Sequence, residues 1–275
     1  MLRLKFPLDH WCAGQFTIDG RDLSSNPNAV SLLEENPTWI NWDMLCLNPN
    51  AMHLIQRNLS NINWSLLSLN PNAMFLIEKN LDKADWNYLS GNPSAMYLLK
   101  DTKNINWRHL SSNPAAMSML RENPDKIHWD VLSGNPSAMS LLQENPDKIH
   151  WNWLSGNPSA TSMLQENPEK INWRFLSGNP AAVEMLQENT DKLYWHELSS
   201  NPNAMAILET NLLRVNKREM ATNPSLFTYD YETMIKKTSR YKEELIQMCL
   251  HPKRFAKYLY EYNYDLGDDG YFIIV

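Results

Sequence analysis

Apolar and polar positions along this chain repeat with a period of 22 residues, and each period predicts two short helices. In the period that starts at Ile149, the residue before Trp151 is a candidate N-cap, because the residues at this point are mostly hydrogen-bond acceptors. Ile149 and Leu154 are spaced as the apolar pair that brackets a helix start. We therefore predict a first helix from Trp151 to near Gly156, short enough to be partly 3-10.

An Asn-Pro step opens the second helix of each period. Proline is favoured at the first helical position and pushes the preceding residue out of the helical region, so Asn157-Pro158 predicts a helix start. Ala160, Met163 and Leu164 then form an apolar stripe, and the helix should end near Asn167. Helices this short are marginal alone in water, so stacking between periods must stabilise them.

The period recurs along most of the chain. Its Asn-Pro asparagines are Asn26, Asn48, Asn70, Asn92, Asn113, Asn135, Asn157, Asn179, Asn201 and Asn223. Tryptophans precede eight of them, at Trp42, Trp64, Trp86, Trp107, Trp129, Trp151, Trp173 and Trp195. Fixed periods of this size indicate a stack in which each unit buries its apolar face against its neighbours. The predicted fold is all-α: an elongated, right-handed α-solenoid of about ten two-helix repeats, each pairing a short α or 3-10 helix with an α-helix.

Degenerate units at both ends predict three segments. Residues 1–17 would cap the first repeat, residues 18–228 would form the solenoid, and residues 229–275 would form a helical capping or docking module. Within this module we predict helices over 229–250 and 253–262.

The repeat also carries resemblances to known families. Leu-Ser-Gly-Asn-Pro-Ser-Ala-Met-Ser-Leu-Leu-Gln-Glu-Asn-Pro-Asp-Lys is similar to the leucine-rich repeat variant, an α-solenoid that alternates 3-10 and α helices. Over about residues 18–237, Trp-x-x-Leu-Ser-x-Asn-Pro-x-Ala-Met more closely resembles uncharacterised repeat proteins of large DNA viruses of the mimivirus and chlorovirus kind. This implies a viral protein that acts in the host cytoplasm or is carried in the virion. The iron–sulfur cluster of the bacterial variant family is not implied, because no cysteine cluster matches it.

Composition and motifs argue against most chemistry. The net charge is −6, so no basic footprint indicates nucleic acid as a partner. No stretch approaches transmembrane length, and three scattered cysteines suit a reducing compartment. There is no phosphate loop, metalloprotease motif or nucleophile elbow. His128 and His150 lack a third ligand for zinc. We therefore predict no enzyme activity, no cofactor and no metal.

Repetition at one position indicates scaffold, so partner recognition should depend on positions that vary. The tryptophans are interpreted as an internal ladder between repeats. Large aromatic side chains at variable positions are the candidate partner-binding residues; they are Phe75, Tyr88, Tyr97, Trp153 and Phe175. An alternative is that the position two after tryptophan is a permissive core site.

The function that these observations favour is a non-enzymatic protein–protein interaction scaffold. One alternative is a structural virion component, such as a minor capsid or core protein, in which a stiff rod of near-identical units serves as a spacer. Another is a nucleic-acid-binding helical repeat, which the acidic composition disfavours.

Overall fold

The structure is a computed structural model, and it describes residues 2–4, 20–100, 102–229, 264–266 and 272–274. Two compact units make up the chain. One is Leu4–Phe227, and the other combines Met1–Arg3 with Thr228–Val275.

Short α-helices of two kinds alternate along the larger unit, which confirms a repeated, mostly helical fold. The first helices begin at the tryptophan position; they are α2 (Trp42–Cys46), α4 (Trp64–Leu67), α6 (Trp86–Gly91), α8 (Trp107–Ser112), α10 (Trp129–Ser133), α12 (Trp151–Ser155), α14 (Trp173–Ser177), α16 (Trp195–Ser200) and α18 (Lys217–Thr222). The second helices are α1 (Val30–Glu35), α3 (Met52–Arg57), α5 (Met74–Glu78), α7 (Met96–Leu99), α9 (Met117–Glu122), α11 (Met139–Glu144), α13 (Thr161–Gln165), α15 (Val183–Glu188) and α17 (Met205–Glu209).

Most 3-10 segments lie in the connections rather than in the first helices, where we expected them. Gly20–Ser25, at the first-helix position of the first repeat, is the one described segment that matches the expectation. The 3-10 segments are Gly20–Ser25, Pro37–Trp39, Pro71–Ala73, Pro93–Ala95, Pro124–Lys126, Pro136–Ala138, Pro146–Lys148, Pro168–Lys170, Thr190–Lys192, Leu212–Arg214 and Pro224–Leu226. The second α-helix therefore begins at or next to the methionine position, several residues after the Asn-Pro step. Proline fixes the backbone for a tight turn, and the α-helix begins only when that turn is complete.

Four short strands lie near the chain ends. The strand β1 (Leu2–Leu4) pairs with β2 (Phe227–Tyr229), and β3 (Tyr264–Leu266) pairs antiparallel with β4 (Phe272–Ile274). The described parts of the predicted helical C-terminal module are thus strands. The helices predicted over 229–250 and 253–262 lie outside the described residues, apart from Tyr229 at the end of β2.

Leucine and alanine form the core of the repeats. Each first helix that begins with tryptophan buries the leucine three residues further on, as in Leu154, and each Asn-Pro step precedes a buried alanine such as Ala160 in most repeats. A leucine or isoleucine of the second helix, such as Leu164, completes the set. These residues pack between neighbouring repeats, which explains how helices of about five residues are stable.

The ten Asn-Pro asparagines, called here the ladder asparagines, join one repeat to the next. The side-chain oxygen of Asn157 accepts a hydrogen bond from the Ser159 backbone N–H at 2.9 Å. Its amide donates to two carbonyls of the preceding repeat, Ser133 at 2.9 Å and Asn135 at 3.0 Å. All ten ladder asparagines are buried and have this pattern. The asparagines that we interpreted as helix caps are therefore also the main hydrogen-bond link between repeats.

Serine hydroxyls form a second link. The Ser155 hydroxyl donates to the Trp151 carbonyl at 2.8 Å and accepts from the Asn172 backbone N–H of the next repeat at 2.9 Å. Eight serines make the second of these bonds; they are Ser24, Ser68, Ser90, Ser111, Ser133, Ser155, Ser177 and Ser199. Cys46 occupies the same position in one repeat and Ala221 in another. Burial raises the pKa of the Cys46 thiol, although the N–H of Asn63 acts against that rise.

The ladder closes on itself. Asn26, in the first repeat, donates to the carbonyls of Ala221 at 2.8 Å and Asn223 at 2.9 Å, the same two bonds that every other ladder asparagine makes to its preceding repeat. Asn28 donates to the Pro224 carbonyl at 2.9 Å, as Asn50 does to Pro27. The expectation of an elongated array is therefore wrong for this unit: its repeats form a closed ring. We call the joint between the last repeat and the first the seam.

The first helices form the inner layer of this ring. Neighbouring first helices pack directly on each other through most of the circuit, and α18 packs on Gly20–Ser25 across the seam, whereas successive second helices are not packed as closely. In a closed ring, equivalent elements lie closer together the nearer they are to the axis. The second helices therefore form the outer layer. The right-handed sense that we predicted for the stack stays a prediction.

Candidate partner-binding surfaces

The tryptophans are not the closed internal ladder that we expected. All eight indoles are only partly buried. A basic side chain near the end of the same repeat lies over most of these rings. For example, Lys170 lies 4.3 Å from the centre of the Trp151 ring and Lys126 lies 4.6 Å from that of Trp107. Lys83, Lys192 and Arg214 do the same for Trp64, Trp173 and Trp195. A cation over an indole face is attractive and keeps contact with water, so each of these tryptophans binds the end of its own repeat at the surface.

Two open grooves lie between neighbouring repeats at this surface. One, of about 520 Å³, lies between Trp173 and Tyr194 and contains Lys192. The other, of about 510 Å³, lies between Ser65 and Trp86 and contains Lys83 and Lys103. Both are lined by the cations and N-cap residues of two adjacent repeats, so they arise from the repeat geometry and do not mark a unique site.

Three of the predicted residues lie together on the inner layer. The position two after each tryptophan forms a row along the first helices, called here the inner row. Within it, the Trp153 and Phe175 rings are 5.6 Å apart, and the Tyr88 and His109 rings are 5.7 Å apart. Packed helices are typically ~8–10 Å apart, so these side chains converge, as expected on a concave face. Trp153 is 39% exposed, while Tyr88 and Phe175 are partly buried.

Glycines lie beside the two largest side chains of the inner row. A side chain at Gly134 would meet the Trp153 ring at 3.5 Å, and one at Gly156 would meet Phe175 at 3.8 Å. The inner row is therefore not a fully enclosed core site. Its side chains pack against neighbouring repeats, and part of their surface stays exposed to solvent.

The inner row divides into an apolar arc and a charged arc. The apolar arc runs through seven successive repeats; it is Met44, Leu66, Tyr88, His109, Val131, Trp153 and Phe175. The charged arc continues the row with Glu197 and Glu219 and extends across the seam to Asp22. From the sequence, we predicted only the aromatic members of this arc. A comparison of the residues two after tryptophan in every repeat would have revealed the whole arc, because seven successive repeats have a mostly apolar or aromatic residue there.

Ion pairs between repeats hold the charged arc. Arg174 Nε lies 2.5 Å from Glu197, His196 Nε2 lies 3.5 Å from Glu219, and Arg218 Nε lies 3.5 Å from Asp22 across the seam. Burial alone would raise the pKa of Glu197, but the hydrogen bond from Arg174, together with a backbone hydrogen bond and the nearby charges of Arg174 and His196, outweighs burial and lowers that pKa. Beside the apolar arc, Arg108 lies 2.8 Å from Asp130. Burial would raise the pKa of Asp130, but hydrogen bonds from Val131 N–H and Arg108 outweigh it and lower that pKa.

The other two predicted residues lie on the outer layer. Phe75 is 46% exposed with Lys79 over its ring at 4.6 Å, and Tyr97 is 49% exposed. The Tyr97 hydroxyl donates to the Glu78 carboxylate of the preceding repeat, which raises the pKa of Tyr97 to about 12. His53 with Glu34, and Arg121 with Ser140, make the equivalent contact in other repeats. The five predicted residues therefore belong to two surfaces, and the structure does not bring them into one site.

Among the described residues, no three His, Cys, Asp or Glu side chains are close enough together to hold a metal ion. In the same residues, no helix is long and apolar enough to cross a membrane.

The N-cap prediction holds for Asn41, Asn106 and Asn172, whose side chains accept backbone N–H bonds. It is wrong for His128, His150 and Tyr194, which stand at the cap position without such a bond.

Comparison with protein-family models, with curated proteins and with solved structures finds no match to this chain. The case for a function therefore depends on the geometry of its surfaces.

Proposed function

We propose that this chain is a non-enzymatic protein-interaction scaffold that binds a polypeptide partner along the apolar arc of its inner row. The observation that carries the proposal is the arc itself. In a ring whose joints are made by near-identical residues, the inner row is one of the few lines along which the repeats differ, and seven successive members are mostly apolar or aromatic. At its end, the Trp153 and Phe175 rings lie in tilted contact, 5.6 Å apart, and offer exposed surface.

Burial of such rings would supply much of the binding free energy. Hot spots of protein interfaces are enriched in tryptophan and tyrosine, and the loss of one typically weakens binding by about 2 kcal/mol or more, which is roughly 30-fold. The ion pairs of the charged arc would set the orientation of the partner more than its affinity, since exposed pairs contribute little.

The test compares the two surfaces that carry predicted residues. Wild type, Trp153→Ala/Phe175→Ala and Phe75→Ala/Tyr97→Ala are used to purify partners from cells in which the protein is expressed, and a captured protein is then titrated in purified form by calorimetry. We expect only the inner-row variant to lose at least about tenfold in affinity while its melting temperature stays within a few degrees. Ser140→Ala/Ser162→Ala is the matched control for polar outer residues.

Two outcomes would count against the inner row. If only Phe75→Ala/Tyr97→Ala loses the partner, the outer layer is the binding surface. If neither variant changes capture, the residues 228–275 become the next region to test, and the scaffold proposal no longer depends on the aromatic positions.

We further propose, on the resemblance of the repeat, that the chain is a viral protein of host cytoplasm. The alternative of a virion component loses the argument from a stiff rod, because the described repeats close into a ring. Mass spectrometry of purified virions separates the two: high copy number would favour the structural role.

A further inference from the structure

One of the ten joints of the ring differs from the others in how the chain runs through it. At every other joint, the two neighbouring repeats are consecutive in the sequence, so the polypeptide ties them together even if their contacts break. At the seam, the repeats that meet are separated by almost 200 residues, as in the bond from Asn26 to Asn223. Within the described repeats, the seam is therefore the only joint at which consecutive chain does not link the two neighbouring repeats. Hydrogen bonds and packing alone hold this joint closed.

The seam also differs from most internal joints in its side chains. Ala221 stands where eight repeats have the bridging serine, so it has no hydroxyl to accept from the backbone of the adjoining repeat. Lys217 stands where eight repeats have tryptophan. The seam is held by the amides of Asn26 and Asn28, by the packing of α18 on Gly20–Ser25, and by side chains such as Arg218, which is 80% exposed where it pairs with Asp22.

We infer that the seam is the joint at which the ring opens, and that it opens as a unit while the other nine joints stay intact. Opening separates a donor edge, the amides of Asn26 and Asn28, from an acceptor edge, the carbonyls of Ala221, Asn223 and Pro224. It also makes the inner row reachable from the side. The inference does not depend on the identity of any partner, since it concerns the ring alone.

Pulsed electron paramagnetic resonance on the full chain tests this. Spin labels at Ser31→Cys and Leu213→Cys, both exposed positions on opposite sides of the seam, report whether the ends are together. The native cysteines Cys12, Cys46 and Cys249 are replaced by serine, which at position 46 restores the residue found in most repeats. Helix content is followed by circular dichroism in the same samples.

Asn26→Ala/Asn28→Ala removes the seam amides, and Asn70→Ala/Asn72→Ala removes the chemically matched amides at an internal joint. In urea below the unfolding midpoint, we expect the seam variant to show at least about a tenfold larger long-distance fraction than the parent, with helix content unchanged. The internal variant should lower the unfolding midpoint without a larger long-distance fraction before helix is lost.

A third variant keeps the test decisive if the seam variant folds poorly. Arg218→Ala removes the exposed ion pair to Asp22 across the seam, and we expect it to enlarge the long-distance fraction relative to the parent while helix content is unchanged. The inference is overturned if distance and helix content change together in every variant, or if the internal variant opens the labelled ends as readily as the seam variant does.

Discussion

At the scale of single residues, the ladder asparagine is the side chain that the fold can least exchange. Its amide nitrogen and oxygen are both used in a buried site: the oxygen holds the turn of its own repeat, and the nitrogen holds two carbonyls of the neighbouring repeat. Aspartate lacks the donors and glutamine is longer by one methylene. Alanine leaves one carbonyl of the neighbouring repeat, such as that of Ser133, without a partner. An unpaired buried polar group typically costs about 1–3 kcal/mol.

We therefore predict that Asn157→Ala lowers the free energy of unfolding by about 2–5 kcal/mol, since the Ser133 carbonyl and the Ser159 N–H lose their partner and the Asn135 carbonyl loses one of its two bonds. Asn157→Asp should destabilise at least as much, because its carboxylate would face the two carbonyls. Urea titration measures both. Asn50→Ala, which removes one exposed bond to Pro27, is the control and should cost less than about 1 kcal/mol. Equal effects for Asn50 and Asn157 would contradict a special role for the ladder.

Residue-scale reasoning succeeded where the partner is close in sequence and failed where it is not. An asparagine before proline predicts a cap, because the cap bond spans only two residues. The tryptophans are predicted to be core because large rings repeated at one position usually fill an interior. Their cations lie near the end of the same repeat, as Lys170 does for Trp151, and no helix spacing shows that the two are neighbours in space.

At the scale of elements, the ends of several first helices lie against side chains of the next repeat. The glycines at the ends of α10, α12 and α14 face a large side chain of the adjoining inner row. None of these contacts requires a left-handed backbone: Gly156 has φ −83 and ψ −7, which any residue can adopt. The backbone conformation therefore does not require glycine, and at Gly156 the nearest atom would lie 3.5 Å from an added Cβ, which is an ordinary contact distance.

Gly156→Ala should raise the free energy of unfolding by up to about 1 kcal/mol, because alanine restricts the unfolded chain and its methyl fits at ordinary contact distance from Phe175. Thermal and urea unfolding provide the measurement. Gly156→Leu should instead destabilise, since its longer side chain must displace the Phe175 ring. A fall of more than about 1 kcal/mol for alanine would mean that the space beside the inner row is too tight for a methyl group.

The order of the helices was largely predictable from the sequence, whereas the residues at which they begin and end were predicted less well. Periodic apolar positions and Asn-Pro steps predict two short helices per repeat, and both are present. The short length of the first helix predicts 3-10 turns there, whereas most of them form at the connections, where proline and the need for a tight reversal act together. The inner and outer layers could not be assigned, because both helices have one apolar and one polar side.

At the scale of the whole ring, closure is the property that no single repeat encodes. Each joint contributes a small turn, and the sum over the circuit brings Asn26 onto Asn223. A repeat pattern predicts neighbours, so it predicts an open stack equally well. The residues that reveal closure are Asn26 and Asn28, which retain the donors of an internal repeat and use them on the last repeat of the ladder.

Deletion of residues 129–150, one whole repeat, should therefore be far more harmful than in an open solenoid. Nine repeats would have to share a full circuit, so every joint would turn more, or the seam would stay open. We expect a drop in melting temperature of more than about 10 °C, since the loss of several kcal/mol shifts the melting temperature of a domain of this size by that amount. Calorimetry and the seam distance measurement check it.

The matched control replaces residues 129–150 with a copy of residues 151–172, which keeps the number of repeats. It should melt within a few degrees of wild type. If the deletion variant is as stable as this control, the ring can change its size freely and the seam is not under a geometric constraint.

Closure also acts on how such a chain can change in length over generations. Near-identical units in tandem invite unequal recombination, which adds or removes whole units, and an open stack absorbs such a change at its ends because each unit touches only its neighbours. In this ring, a repeat gained or lost at any position changes the geometry at the bond between Asn26 and Asn223. Selection for a closed ring therefore keeps the copy number constant, while it leaves the inner row free to differ from one unit to the next.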